Sequence, residues 1–213
     1  MEYNNVNAYA KTASELRYDA RNSLRGLWGT SVLLCLVFGL ITSLSGIPIA
    51  GQLILLLITG PLNLGLTICF VNLVRQNPFR LEDLFNGFKN FTSSFVLFLL
   101  TTIFTTLWTF LFIIPGIIAR YRYAMAYYIL NDNPDMSANE AIKQSSLMMK
   151  GHKWRLFCLH LSFIGWILLC TITIVGIIGL LWVIPYMKTA ETCFYENLKA
   201  IYGDVKSPEE STF

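Results

Sequence analysis

The run Gly26–Val74, GLWGTSVLLCLVFGLITSLSGIPIAGQLILLLITGPLNLGLTICFVNLV, contains no Asp, Glu, Lys or Arg from end to end. Hydrocarbon cannot solvate a backbone N–H or C=O, so a chain that crosses it must be helical or a closed barrel. The run far exceeds the roughly 10 residues of a barrel strand and does not alternate, which leaves helices. A transmembrane helix takes roughly 20 residues, so there is room here for two, with Ser45-Gly46-Ile47-Pro48 as the turn between them.

Two further uncharged runs follow, Asn90–Ala119 and Leu156–Met187. Each is long for one relaxed span and short for two, so composition alone allows four to six helices. Charge sidedness separates the cases, because cytoplasmic flanks carry the excess of Lys and Arg. Four spans would put Arg120, Arg122, Lys143, Lys150, Lys153 and Arg155 on the outer face. Six spans put all 16 basic residues on the cytoplasmic side and leave three uncharged outer turns. The sequence therefore predicts an all-α integral membrane protein of six spans in three hairpins: 27–45 with 51–74, 91–106 with 109–130, and 154–174 with 177–199. Trp28 and Trp154 stand at the inner ends of the first and fifth spans, as an interfacial belt requires.

The bulk numbers agree. The chain has 213 residues, 54% of them hydrophobic and 14% charged, with a mean hydropathy of +0.54; soluble domains carry about 25% charged residues. The basic residues adjoin apolar spans and form no solvated stripe, which excludes nucleic acid as a partner. Residues 1–26 are polar, with no short apolar core before a small-residue cleavage site, so the first span reads as a retained anchor. Cys35, Cys69, Cys158, Cys170 and Cys193 lie in or beside the spans without a CxxC pair and read as packed apolar residues.

The chain also repeats. Thr12-Ala13-Ser14-Glu15 and Ser137-Ala138-Asn139-Glu140 both have the form of a capping box, and each leads to a basic-Gly pair, Arg25-Gly26 and Lys150-Gly151, with Trp28 and Trp154 beyond. Ala13, Leu16, Ala20 and Leu24 line one face of the first short helix; Ala138, Ala141, Ile142, Met148 and Met149 line that of the second. Both helices should lie flat on the inner surface. Pro61 and Pro185 are each followed eight residues later by Cys-Phe. A shortened middle copy opens at Asn77-Pro78, ends its amphipathic segment at Gly87 and is kinked at Pro115. The repeat units are 12–75, 77–131 and 137–202, together a single membrane domain over 1–203 with a polar tail at 204–213. Two spans per unit make the repeats parallel, whereas inverted repeats need an odd number.

Candidate site residues follow from this repeat. Asn63 lies past Pro61, Arg120 and Arg122 past Pro115, and Lys188 and Glu191 past Pro185; around a common axis these five would converge on the inner half of the bundle. Each proline frees a carbonyl one turn earlier. Lys188 and Glu191 can also pair with each other at i,i+3, and the blander reading of all five is that they mark where helices leave the bilayer. Arg17, Arg21 and Arg25 give the first short helix a basic edge suited to anionic lipid headgroups. Gly60, Gly65, Gly176 and Gly179 fit close helix contacts or turns, and Asn63, Thr67, Ser162 and Thr171 are expected to bond between spans. His160 reads as a packed or interfacial residue. No metal constellation or paired carboxylates occur, and no cofactor is implied.

The stretches Ile114-Pro115-Gly116-Ile117-Ile118, Arg122-Tyr123-Ala124-Met125-Ala126 and Ser145-Ser146-Leu147-Met148-Met149-Lys150-Gly151-His152 resemble a bacterial multi-pass membrane family known as domain of unknown function nine-seven-five. The resemblance runs from the first amphipathic helix to Tyr195. It implies a bacterial plasma membrane, and brings no activity and no catalytic residues. Taken together, the expected protein is a non-enzymatic, multi-pass plasma-membrane protein with both termini cytoplasmic. Its expected contacts are the lipid bilayer, anionic lipid in particular, or another membrane protein. The alternative is a small-solute or ion transporter or channel using the polar residues beside the prolines.

Overall fold

The computed structural model describes residues 10–43, 50–172 and 176–206. Its elements are α1 (Ala13–Ser23), α2 (Trp28–Ser43), α3 (Ala50–Val74), a 3-10 helix (Leu81–Asn90), α4 (Phe91–Leu111), α5 (Ile113–Tyr123), α6 (Ala126–Asp132), α7 (Ala138–Met148), α8 (Lys153–Ile172) and α9 (Gly176–Lys206), with no strand among the described residues. Three helical segments are long and apolar enough to cross a bilayer: Ile54–Val74, Leu81–Leu111 and Lys153–Thr171. The unit α1–α2, bent by 100°, makes a fourth if taken as one span. The expected turn at Ser45–Pro48 lies outside the described residues.

The short helices begin where local chemistry starts them. Thr12 N–H donates to the Glu15 carboxylate at 2.6 Å, and Ser137 N–H to that of Glu140 at 2.9 Å. The two hydroxyls accept in return from the Glu15 and Glu140 backbone N–H groups, so both expected capping boxes form. These hydrogen bonds hold the Glu15 and Glu140 carboxyls below their ordinary range. At the far ends Gly26 and Gly151 take φ of 80° and 86°, a left-handed conformation that costs glycine nothing and releases the chain toward α2 and α8.

The apolar faces read from the sequence are buried: Leu16, Ala20 and Leu24 on α1, and Ala138, Ala141, Ile142, Met148 and Met149 on α7 or just past its end. What they cover differs from the expectation. α1 packs across α9 and α8, and α7 packs under α6 and α4, so these faces join the protein core instead of entering lipid. Periodicity reports that a face is apolar and is silent on whether lipid or protein meets it.

The middle hairpin is built differently from its expected form. α4 continues past 106 to Leu111, and one extended residue, Phe112 (φ −157°, ψ 143°), turns the chain. α5 then folds back along α4, close enough that a Cβ at Gly116 would sit 2.1 Å from the Thr109 hydroxyl oxygen. Pro115 therefore falls in the first turn of α5, where its missing N–H has no helical partner to lose, and makes no kink. The return arm breaks instead between Tyr123 and Ala126. Pro61 and Pro185 do lie inside α3 and α9. Gly87 does not end its segment either. It is buried within the 3-10 helix, where a Cβ would meet the Pro61 carbonyl at 2.0 Å, while one at Gly65 would meet that of Leu84 at 1.7 Å. These contacts seat the 3-10 helix on α3.

Candidate functional site

α3, α9 and the start of α6 line a small polar cavity of about 60 Å³. α3 supplies Asn63 and Thr67, α6 supplies Tyr127 and Tyr128, and α9 supplies Lys188 and Glu191. Lys188 Nζ meets Glu191 Oε2 at 3.0 Å, with side chains 38% and 11% exposed respectively. The carboxylate is thus the enclosed partner and the ammonium the one that reaches outward. Thr192 donates to the Lys188 carbonyl at 3.0 Å and lies 3.4 Å from the Tyr128 hydroxyl. The Tyr127 hydroxyl is buried without a hydrogen-bond partner among the described residues, which normally costs about 1–3 kcal/mol.

The five polar residues expected past the prolines divide. Asn63, Lys188 and Glu191 line the cavity. Arg120 is exposed and stands near enough to interact with Glu191. Arg122 does not line the cavity: its backbone carbonyl accepts from Ser145 at 2.9 Å, and its charge lies near enough to Lys153 to act on it. His160 was not part of the expected group, yet its Nδ1 lies 3.2 Å from the Tyr121 hydroxyl and its ring interacts with Glu191. Two residues 39 apart on different helices leave no sequence signal. The hydroxyls and amide expected to bond between spans instead turn back on their own helices. Asn63 donates to Thr59, Thr67 to Asn63, Ser162 to Leu159 and Thr171 to Ile167, as short polar side chains do when an i−3 or i−4 carbonyl is in reach.

A second cluster joins the C-terminal end of α3, the end of α6 and the C-terminal part of α9. Asp132, at the end of α6, accepts from Arg75 just past α3 at 2.9 Å, from the Tyr195 hydroxyl at 2.9 Å, and from Lys199. Arg75 also binds Glu196 at 2.9 Å. Burial alone would raise the Asp132 carboxyl, but the hydrogen bonds from Arg75, Lys199 and Tyr195 outweigh it and hold it below its ordinary range. At the helical rise of 1.5 Å per residue, Asn63 on α3 and Lys188 on α9 each lie about 17 Å along their helices from Arg75 and Lys199. The cavity and this clamp therefore sit at two levels along α3 and α9.

The third polar feature is the basic edge of α1. Arg17 and Arg21 border a cavity of about 300 Å³ completed by Ser14, Tyr18, Trp166 and Tyr186. Arg25 does not share it. It follows the helix end and lines a groove with Arg80, so the expected edge is two arginines long. Of the expected interfacial tryptophans, Trp154 is 70% exposed, whereas Trp28 packs its ring 6.2 Å from that of Tyr186.

A family model described as "Protein of unknown function (DUF975)" matches residues 9–119 and 111–201 of the chain. No curated protein and no solved structure matches it.

Proposed function

We propose, from the premise that the chain belongs to the family described as Protein of unknown function (DUF975), a non-enzymatic role at the inner leaflet of the plasma membrane, exercised through contacts with lipid or with another membrane protein. The observation that carries this reading is α1: turned 100° from α2, it runs across α8 and α9 with two arginines on the edge beside their exposed apolar surface. A basic edge lying against the inner ends of spans is attracted to anionic lipid.

Six spans in three parallel hairpins make this geometry coherent. Support comes from the matched capping boxes, the matched left-handed Gly26 and Gly151, and the three return arms that end at one clamp. α5 and α6, 11 and 7 residues long, together make one return arm of the middle hairpin. Both termini and the amphipathic helices then lie in the cytoplasm. The test is a single cysteine at position 137, in a chain lacking the native five, exposed to a membrane-impermeant thiol reagent. Protection in intact cells with labelling after permeabilisation is the expected result; labelling from outside would leave four spans and sink the proposal.

A second reading, a small-ion or small-solute pathway, is favoured by the cavity holding Asn63, Lys188 and Glu191. At about 60 Å³ it has room for a few waters, which suits a small ion better than a large solute. Flux in proteoliposomes that Glu191→Gln abolishes would support it, and wild-type vesicles that pass no monovalent ion would end it.

A further inference from the structure

We propose that the cavity between α1, α8 and α9 binds the phosphodiester headgroup of an anionic phospholipid, held by Arg17 and Arg21. This rests on the inner-leaflet reading above and gives it a ligand and a site. The cavity, about 300 Å³, has no carboxylate in its lining. The acidic residues of α1 are otherwise engaged: Asp19 pairs with Lys11 at 2.7 Å, and Glu15 caps its own helix through Thr12. Neither Arg17 nor Arg21 has an ion-pair partner among the described residues, so two guanidinium groups share one concavity without a counter-charge. Arginine presents a planar fork of N–H donors that matches a phosphate's oxygens.

The cavity is also fixed in place. The Tyr186 hydroxyl donates to the Arg17 carbonyl at 3.1 Å and the Arg21 guanidinium lies 6.0 Å over the Tyr186 ring. Tyr186 itself is wedged against Phe163, ring centroids 5.1 Å apart, and against Trp28. Its outer rim selects a lipid over a free phosphate. Trp166 is 58% exposed, and exposed apolar residues stand one turn further along the same helix faces, Leu169 on α8 and Trp182, four residues before Tyr186, on α9. A ligand seated here meets charge at one end and hydrocarbon-compatible surface at the other, the profile of a phospholipid at the headgroup boundary.

The full-length protein in neutral detergent, titrated with phosphatidylglycerol, phosphatidylcholine or inorganic phosphate and read by native mass spectrometry, tests this. Phosphatidylglycerol should bind in preference to phosphatidylcholine, and inorganic phosphate should not displace it. The double variant Arg17→Gln, Arg21→Gln should lose about 30-fold in phosphatidylglycerol affinity, the share of two basic residues at an anionic surface. Arg25→Gln with Arg80→Gln removes the same charge outside the cavity and should change it less than twofold. Arg17→Lys with Arg21→Lys, which keeps the charge and loses the fork, should fall between. Equal losses in the two Gln pairs, no preference over phosphatidylcholine, or full displacement by inorganic phosphate would each overturn the site. If one of these occurs while position 137 remains protected in cells, the cavity assignment fails and the inner-leaflet reading stands. If position 137 labels from outside, that reading fails whatever lipid binds.

Discussion

Replacing Asp132 by Asn tests whether the clamp joining α3, α6 and α9 holds the bundle together. The carboxylate side chain is 8% exposed and accepts from Arg75, Lys199 and Tyr195. Hydrogen bonds to a charged group contribute about 1.5–3 kcal/mol each. Here Arg75 and Lys199 are 32% and 48% exposed and can be rehydrated, and Asn retains an acceptor for Tyr195, so a combined loss of about 2–3 kcal/mol is expected. For a chain of this length 1 kcal/mol moves the melting temperature by about 2–4 °C, so the variant in detergent should melt about 4–12 °C lower at neutral pH. The pH dependence follows with a definite sign. The folded carboxyl titrates below its ordinary value, so its stabilisation is present above about pH 4 and disappears as pH falls through the lower folded value. The gap between wild type and Asp132→Asn should therefore close on acidification below about pH 4. An Asp132→Asn protein that melts with the wild type at neutral pH, or a gap that widens in acid, would refute the clamp's role.

Three further outcomes are expected from the same thermal assay. Lys188→Met should destabilise more than Glu191→Gln, by about 3–5 kcal/mol against about 1–2, because the first strands an enclosed carboxylate and the second an ammonium that reaches water; the reverse order would contradict the burial described. Gly65→Ala places a Cβ 1.7 Å from the Leu84 carbonyl and should cost about 3 kcal/mol or more, whereas Gly39→Ala meets nothing within 4 Å and should be neutral or slightly stabilising; equal melting temperatures would rule out the close seat of the 3-10 helix. Tyr127→Phe removes a buried hydroxyl without a partner and should leave stability unchanged or raise it by up to about 1 kcal/mol; a clear loss would mean that the hydroxyl is bonded.

What could be read in advance was what short-range chemistry decides. Both capping boxes and the Lys188–Glu191 pair depend on residues three apart, and Gly60 and Gly65 announce close packing by lacking a side chain. The turn at Phe112 could not be read, because no Gly or Pro marks it and an aromatic residue in an apolar run looks like more helix. Pro115 misled for the related reason that proline kinks a helix interior yet suits a first turn, and only the turn's position tells which applies. Asn63, Lys188 and Glu191 could be brought together from the repeat, whereas His160 and the clamp around Asp132 depend on residues 39 to 67 apart, where the sequence carries no spacing signal.

The clamp also fixes an order of events during synthesis. Arg75 is made first and Asp132 follows 57 residues later, so α3 and α6 can be joined while α8 and α9 are still unmade. Tyr195 and Lys199 emerge more than sixty residues after Asp132. Until they arrive, the aspartate has one of its two cationic partners and the first short helix has no α9 to lie across. The nascent chain therefore stays open on the side of α9, and its closure there waits until Tyr195 and Lys199 have been made.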